Sequence, residues 1–401
     1  MGNLTLHNEK VSGVLKPGIL KKISYKLLPA STLYAFAGLV METIGKEDRA
    51  IKYYFRSVFL NPEKSFLHYK IGRLQYKKGL IKEAAKSFRM AARLSKDAAS
   101  VFWVGSGANK IPVSPADRTG VNKELINNPN SVRALITKGT DYYNRGMFKE
   151  ARSCFKKVLD FEPGNSDGLL YYGLCLCITK EYGKALECFT KTAYTQQNNP
   201  AVFVNMGLCH SYLGNHQHAV KCYNNAETLG LINVELLNNK GFSLVELSRY
   251  GDALKCYQLA LELNPEDLTL LSNKGTCLCK AGRHAEALKY FDKALKINNQ
   301  DSMLLNNKAL CLEAVGRLNE ALHCYNKALD IDPKNSTLLI NKGGCLAKQH
   351  RYHEALACFN KAIRFDPGNR DVWSFKASIY EKMGEDEEAV DCYNKALGLV
   401  D

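Results

Sequence analysis

VELLNNKGFSLVELSRYGDALKCYQLALELNPED, residues Val234 to Asp267, is the unit from which most of this 401-residue chain is copied. Steps of 34 residues outward from Gly241 return the same residue types. The glycine recurs as Gly139, Gly173, Gly207, Gly275 and Gly343, with Ala309 and Ala377 at the two remaining positions. Twelve residues later comes an alanine: Ala151, Ala185, Ala219, Ala253, Ala287, Ala321, Ala355 and Ala389. Four further on comes an aromatic ring: Phe155, Phe189, Tyr223, Tyr257, Phe291, Tyr325, Phe359 and Tyr393. A fixed period kept over eight copies without an insertion is the mark of a stacked repeat array.

The unit reads as two short helices. Leu237, Gly241 and Leu244 fall on one stripe of a helical wheel, and Ala253, Tyr257 and Ala260 form a second at i, i+4, i+7. Arg249-Tyr250-Gly251 is the expected turn between them. Pro265 closes the unit, because its ring cannot continue a helix. Gly241, Ala253 and Ala260 are small where two backbones must approach, and Leu237 and Tyr257 fill the space beside them. Neither helix hides its apolar face alone, so neighbouring units must supply the cover.

The large residue, glycine, alanine, aromatic, alanine and proline stand at the spacing of the tetratricopeptide repeat family, which this pattern resembles. The resemblance implies an all-α solenoid, a right-handed superhelix of about ten helix-turn-helix repeats. Proline is kept at Pro163, Pro265, Pro333 and Pro367 but replaced by Gln197, Leu231 and Asn299, where the junction angle is expected to differ. The family is a binding scaffold put to many uses, so fold alone does not fix function.

Four segments are expected. Residues 1–30 carry Lys10, Lys16, Lys21, Lys22 and Lys26 with Ile19, Leu20, Ile23 and Leu27 at helical spacing. They read as a basic cap over the open end of the array, with an amphipathic helix for an anionic membrane surface or an acidic partner as the alternative. Residues 31–98 are two diverged units, built on Gly38, Ala50 and Tyr54 and on Gly72, Ala84 and Phe88. Residues 99–131, with GSG at Gly105–Gly107 and with Pro112 and Pro115, read as a linker or a degenerate repeat. Residues 132–401 are eight regular units (132–165, 166–199, 200–233, 234–267, 268–301, 302–335, 336–369 and 370–401).

The net charge of +15 is concentrated at one end: residues 1–131 hold 22 Lys and Arg against 9 Asp and Glu. Attraction to anions therefore belongs to the N-terminal third. No apolar run reaches the length of a membrane span, no secretory leader is evident at the N-terminus, and a cytoplasmic protein is expected.

The feature that points to function is an asparagine two residues before the glycine, at Asn205, Asn239, Asn273, Asn307 and Asn341. It lies on the side of the first helix opposite the stripe that packs the repeat, so the five amides form a row on whichever surface the first helices present. A primary amide offers both donor and acceptor to a peptide unit. First helices about 10 Å apart would set one amide for every three residues of an extended chain rising about 3.3 Å per residue. The row resembles the asparagine ladder in the repeat domain of O-linked N-acetylglucosamine transferases, without a transferase domain. The alternative is that the amides are duplicated, solvated residues. Lys240, Lys274, Lys308 and Lys342 follow the asparagines and read as basic groups at the groove edge or as a solvated flank.

All fourteen cysteines lie within the repeats, in slots that flank packed stripes, and read as small apolar filler, free thiols in a reducing compartment. The pairs Cys175/Cys177 and Cys277/Cys279 are poor chelates, because residues two apart on a helix point away from each other. No nucleophile–base pair, phosphate loop or recurring carboxylate pair is evident, so no catalytic residue, metal or cofactor is expected. The expected function is a non-enzymatic scaffold taking an extended peptide or partner helix in the groove. The alternatives are association with nucleic acid through the basic third, or a regulatory subunit for an enzyme on another chain.

Overall fold

The computed structural model describes residues 29–94 and 131–399. These residues form twenty α-helices and no strand. The chain divides into two compact units at residue 99. The readings of residues 1–30 as a cap and 99–131 as a linker fall outside the described residues.

The first unit holds two helical hairpins, α1 (Ala30–Thr43) with α2 (Glu47–Leu60) and α3 (Ser65–Lys77) with α4 (Ile81–Leu94). The second holds eight. They are α5 (Val132–Asn144) with α6 (Phe148–Phe161), α7 (Ser166–Ile178) with α8 (Tyr182–Thr195), α9 (Pro200–Tyr212) with α10 (His216–Thr228), and α11 (Val234–Glu246) with α12 (Tyr250–Leu263). Then come α13 (Leu268–Lys280) with α14 (His284–Ile297), α15 (Ser302–Ala314) with α16 (Leu318–Ile331), α17 (Ser336–Lys348) with α18 (Tyr352–Phe365), and α19 (Arg370–Met383) with α20 (Asp386–Leu397). Within each unit every helix packs on the next in sequence, which is the arrangement of an α-solenoid.

One contact repeats through both units. The aromatic ring of the second helix lies directly against the glycine of the first. A Cβ placed on Gly241 would come within 2.8 Å of the Tyr257 ring, on Gly275 within 2.7 Å of Phe291, and on Gly343 within 2.6 Å of Phe359. The same holds for Gly38 with Tyr54 and Gly72 with Phe88 in the first unit. Phe155, Phe189, Tyr223 and Phe291 are fully buried, and the alanine four residues before each shows no exposure.

The termini follow from local chemistry. Asn165, Asn233, Asp267, Asp301 and Asn335 accept a hydrogen bond from the amide three residues on, satisfying donors that a helix start leaves open. The turn inside each repeat differs from expectation. It sits at Leu247–Arg249, with Ser248 in the left-handed region at φ 57°, and Tyr250 and Gly251 already belong to α12. The left-handed column then runs Gly146, Lys180, Gly214, Ser248, Gly282, Gly316, His350 and Gly384. Three residues with side chains tolerate it because the helices on either side fix the backbone. At the junctions without proline, Gln197 and Asn299 keep the same tight turn as their sisters. Only the one at Leu231 departs, with Gly230 at φ 104°.

Gly275→Val sets branched carbons against the Phe291 ring and is expected to cost about 1–3 kcal/mol. Gly183→Ala, in a helix where an added Cβ meets nothing, is expected to be neutral or to stabilise by up to about 1 kcal/mol. Thermal unfolding midpoints of the two variants check this.

Candidate functional site

In the second unit each first helix also touches the first helix of the next hairpin, so α5, α7, α9, α11, α13, α15, α17 and α19 make one wall. The ring-under-glycine contact occupies the side of that wall that faces the second helices. The asparagine row runs along the seams between its helices. Asn273 donates its amide to Asn238 Oδ1 at 2.8 Å, from α13 across to α11. Asn341 makes the same 2.8 Å bond to Asn306, from α17 to α15. Asn239, Asn273, Asn307 and Asn341 are each half-buried.

Asn205 departs from this scheme. It is fully buried, and its amide donates to the Ala201 carbonyl of its own helix at 2.9 Å. Both inter-helix amide bonds reach back 35 residues, and 35 residues before Asn205 stands Leu170, which has no amide to accept. Asn205 is therefore a packing residue, and its assignment to a peptide-contacting row is corrected.

The lysines are also placed otherwise than a groove edge requires. Lys240 is buried, and its ammonium binds both carboxylate oxygens of Glu227 on α10, at 2.7 and 2.8 Å. Lys274 is buried against Gln258 on α12, with its ammonium 4.4 Å from the centre of the Tyr290 ring. Lys308 pairs with Asp292 on α14 at 2.7 Å. These three stitch a first helix to second helices and are engaged within the protein. Lys342, at the same register, is half-buried. In the first unit, Lys70 and Arg73 converge on Glu42, Lys77 reaches Glu47 and Lys78 reaches Asp48, so part of the basic charge is neutralised internally.

Twelve cysteines are free, eleven of them buried. Burial pushes the Cys175 thiol up to about 12 and those of Cys222, Cys277 and Cys345 up to about 11, so they stay protonated at neutral pH. The reading of the cysteines as free filler holds for these and fails for two, since Cys279 and Cys311 form a disulfide between α13 and α15. The sequence carries its signal. A cysteine four after the glycine of one unit and another two after the small residue of the next are 32 residues apart, at Cys177 and Cys209 and again at Cys279 and Cys311. Among the described residues no helix is long and apolar enough to cross a membrane.

A tetratricopeptide repeat family model matches residues 234–300, 266–334 and 300–368, and a second of the same description matches 200–229 and 371–399. A tetratricopeptide repeat-containing protein of Methanocaldococcus jannaschii is 25% identical over 150 residues, which are 35% of this chain and 26% of that protein. The match thus spans about a quarter of that relative's length. A tetratricopeptide repeat protein from Parabacteroides merdae aligns over 62% of this chain and 98% of its own, with a TM-score of 0.50 at 19% identity, and shares the fold. YrrB, described as a protein of this type with an unusual peptide-binding site, aligns over 46% of this chain and 95% of its own, with a TM-score of 0.41 at 23% identity.

Lys240→Ala takes the ammonium away from the Glu227 carboxylate, whose side chain is only 15% exposed, and is expected to cost about 1.5–3 kcal/mol. Lys255→Ala, at an exposed pair, should stay within about 0.5 kcal/mol of wild type. Urea unfolding midpoints separate the two.

Proposed function

We propose that this chain, a tetratricopeptide repeat protein, is a non-enzymatic interaction scaffold whose wall of first helices holds an extended peptide. One observation carries the reading. Asn239, Asn273, Asn307 and Asn341 recur at one register along adjoining first helices, on seams where they remain partly open to solvent. An amide that donates to a neighbouring asparagine keeps its own carbonyl and a second N–H for a ligand. The pairs Asn238–Asn273 and Asn306–Asn341 hold those groups in fixed orientation, which lowers the entropy lost on binding. Contacts to peptide backbone favour an extended conformation over a particular sequence.

The fold supports the coarser statement that the partner is another protein; the peptide mode rests on the amide geometry. Binding through amides to a backbone should be insensitive to salt, whereas phosphate binding by the basic N-terminal region would weaken steeply. Changing Asn239, Asn273, Asn307 and Asn341 together to Ala is expected to reduce capture of partner proteins from the native cell at least tenfold, at unchanged helicity and in both low and moderate salt. Capture that survives the quadruple change, or that vanishes with added salt in the wild type, would contradict the proposal.

A further inference from the structure

We propose that Cys279, His284 and Cys311 form a zinc(II) site in the dithiol form of the chain. The two sulfur atoms and an imidazole nitrogen all lie within 4.8 Å of one another, contributed by α13, α14 and α15. His284 Nδ1 is buried and has no hydrogen-bond partner. Two thiolates and an imidazole are a donor set that zinc takes in tetrahedral geometry, at about 2.3 Å to sulfur and about 2.0 Å to nitrogen. Those bond lengths place the donor atoms roughly 3.5–3.8 Å apart. The fourth position is left to water or a small ligand, as in zinc sites with three protein donors.

The repeats supply an internal comparison. The cysteines at Cys177 and Cys209 occupy the same register three hairpin junctions earlier, and their sulfurs lie 3.5 Å apart without a disulfide bond. This backbone slot therefore holds two sulfurs at the separation that a shared zinc ion needs. The residue corresponding to His284 is there Tyr182, so the third donor is missing. At the junction after that one the histidine is present as His216, but the slot holds Ser211 and Ser243, hydroxyl to hydroxyl at 3.3 Å. Among the described residues, only the junction of Leu268–Lys280 with Ser302–Ala314 combines both cysteines with the histidine.

Disulfide and metal exclude each other, because a sulfur bonded to sulfur offers no thiolate. A phosphine reductant opens the bond: the phosphine takes oxygen from water and becomes its oxide, and the two hydrogens of that water end on the two sulfurs. Zinc then displaces the two thiol protons, which leave to solvent. The site thus loads only after reduction, and it joins two successive hairpins when loaded.

The test uses the full chain, reduced with a water-soluble phosphine under argon and titrated with cobalt(II), then with zinc(II). The reduced chain is expected to bind one cobalt ion with the visible absorption of tetrahedral thiolate coordination, and zinc should displace it. The disulfide form should bind none. His284→Tyr, which installs the side chain already present at Tyr182, and Cys311→Ser should each weaken binding roughly 100-fold while helicity is retained. Cys177→Ser should leave it unchanged. Absence of one-to-one binding in the reduced chain overturns the proposal, and so does binding that survives either His284→Tyr or Cys311→Ser.

Discussion

The close contact between an aromatic ring and a glycine that has no Cβ sets the geometry of every hairpin in which it occurs. The ring of Phe291 sits where a side chain on Gly275 would have to be, and the seven other glycines of this register repeat the relation. Close approach of two backbones fixes their separation more sharply than bulky side chains could, because packed interiors deform little. The fully buried alanines, Ala253 and Ala287 among them, keep the second side of the contact equally tight. Where alanine replaces glycine, at Ala309, the Tyr325 ring is still buried and hands its hydroxyl to Glu313. A small residue is thus the requirement, and glycine is its usual form.

That constraint decides what is left over. With one side of each first helix committed to the ring beneath it, the remaining side faces along a wall shared with the neighbouring first helices. Amides on that wall cannot contribute to the ring contact; they either bond each other across the seams or meet a ligand. The two Asn–Asn bonds show that the first option is used at alternate junctions, and at Asn239 and Asn307 no amide stands 35 residues upstream to pair with. The cysteine slots lie at the same seams, so a bond or an ion there would couple successive hairpins directly. In an array stabilised by nearest-neighbour contacts, one such cross-link acts on the stability of adjacent repeats.

Residue spacing made the repeat, its helices and its packing stripes legible, because glycine, alanine and aromatic each have a steric reason to recur. The site was less legible, for physical reasons. A helical wheel treats one helix alone, whereas Asn205 is buried by what surrounds it, and Leu170 stands where Asn273 and Asn341 have an asparagine 35 residues upstream. Lysine in a sequence reads as solvated, yet Lys240 meets Glu227 from the preceding hairpin, a pairing that no single-helix periodicity contains. The turn is displaced from the expected position because Gly251 resembles a turn residue, while Ser248, which takes the left-handed conformation, does not. The Cys279–Cys311 bond does not show in the spacing within one unit, because the informative interval crosses a unit boundary.

The dependence of the fold on the ring beneath the glycine is tested most directly by a double-mutant cycle on Gly275→Val and Phe291→Leu, read by unfolding free energies of the two single variants and the double. If the two residues share one contact, removing the ring makes room for the valine, and the combined loss falls short of the sum by about 1–2 kcal/mol. Losses that add to within about 0.5 kcal/mol would contradict that account.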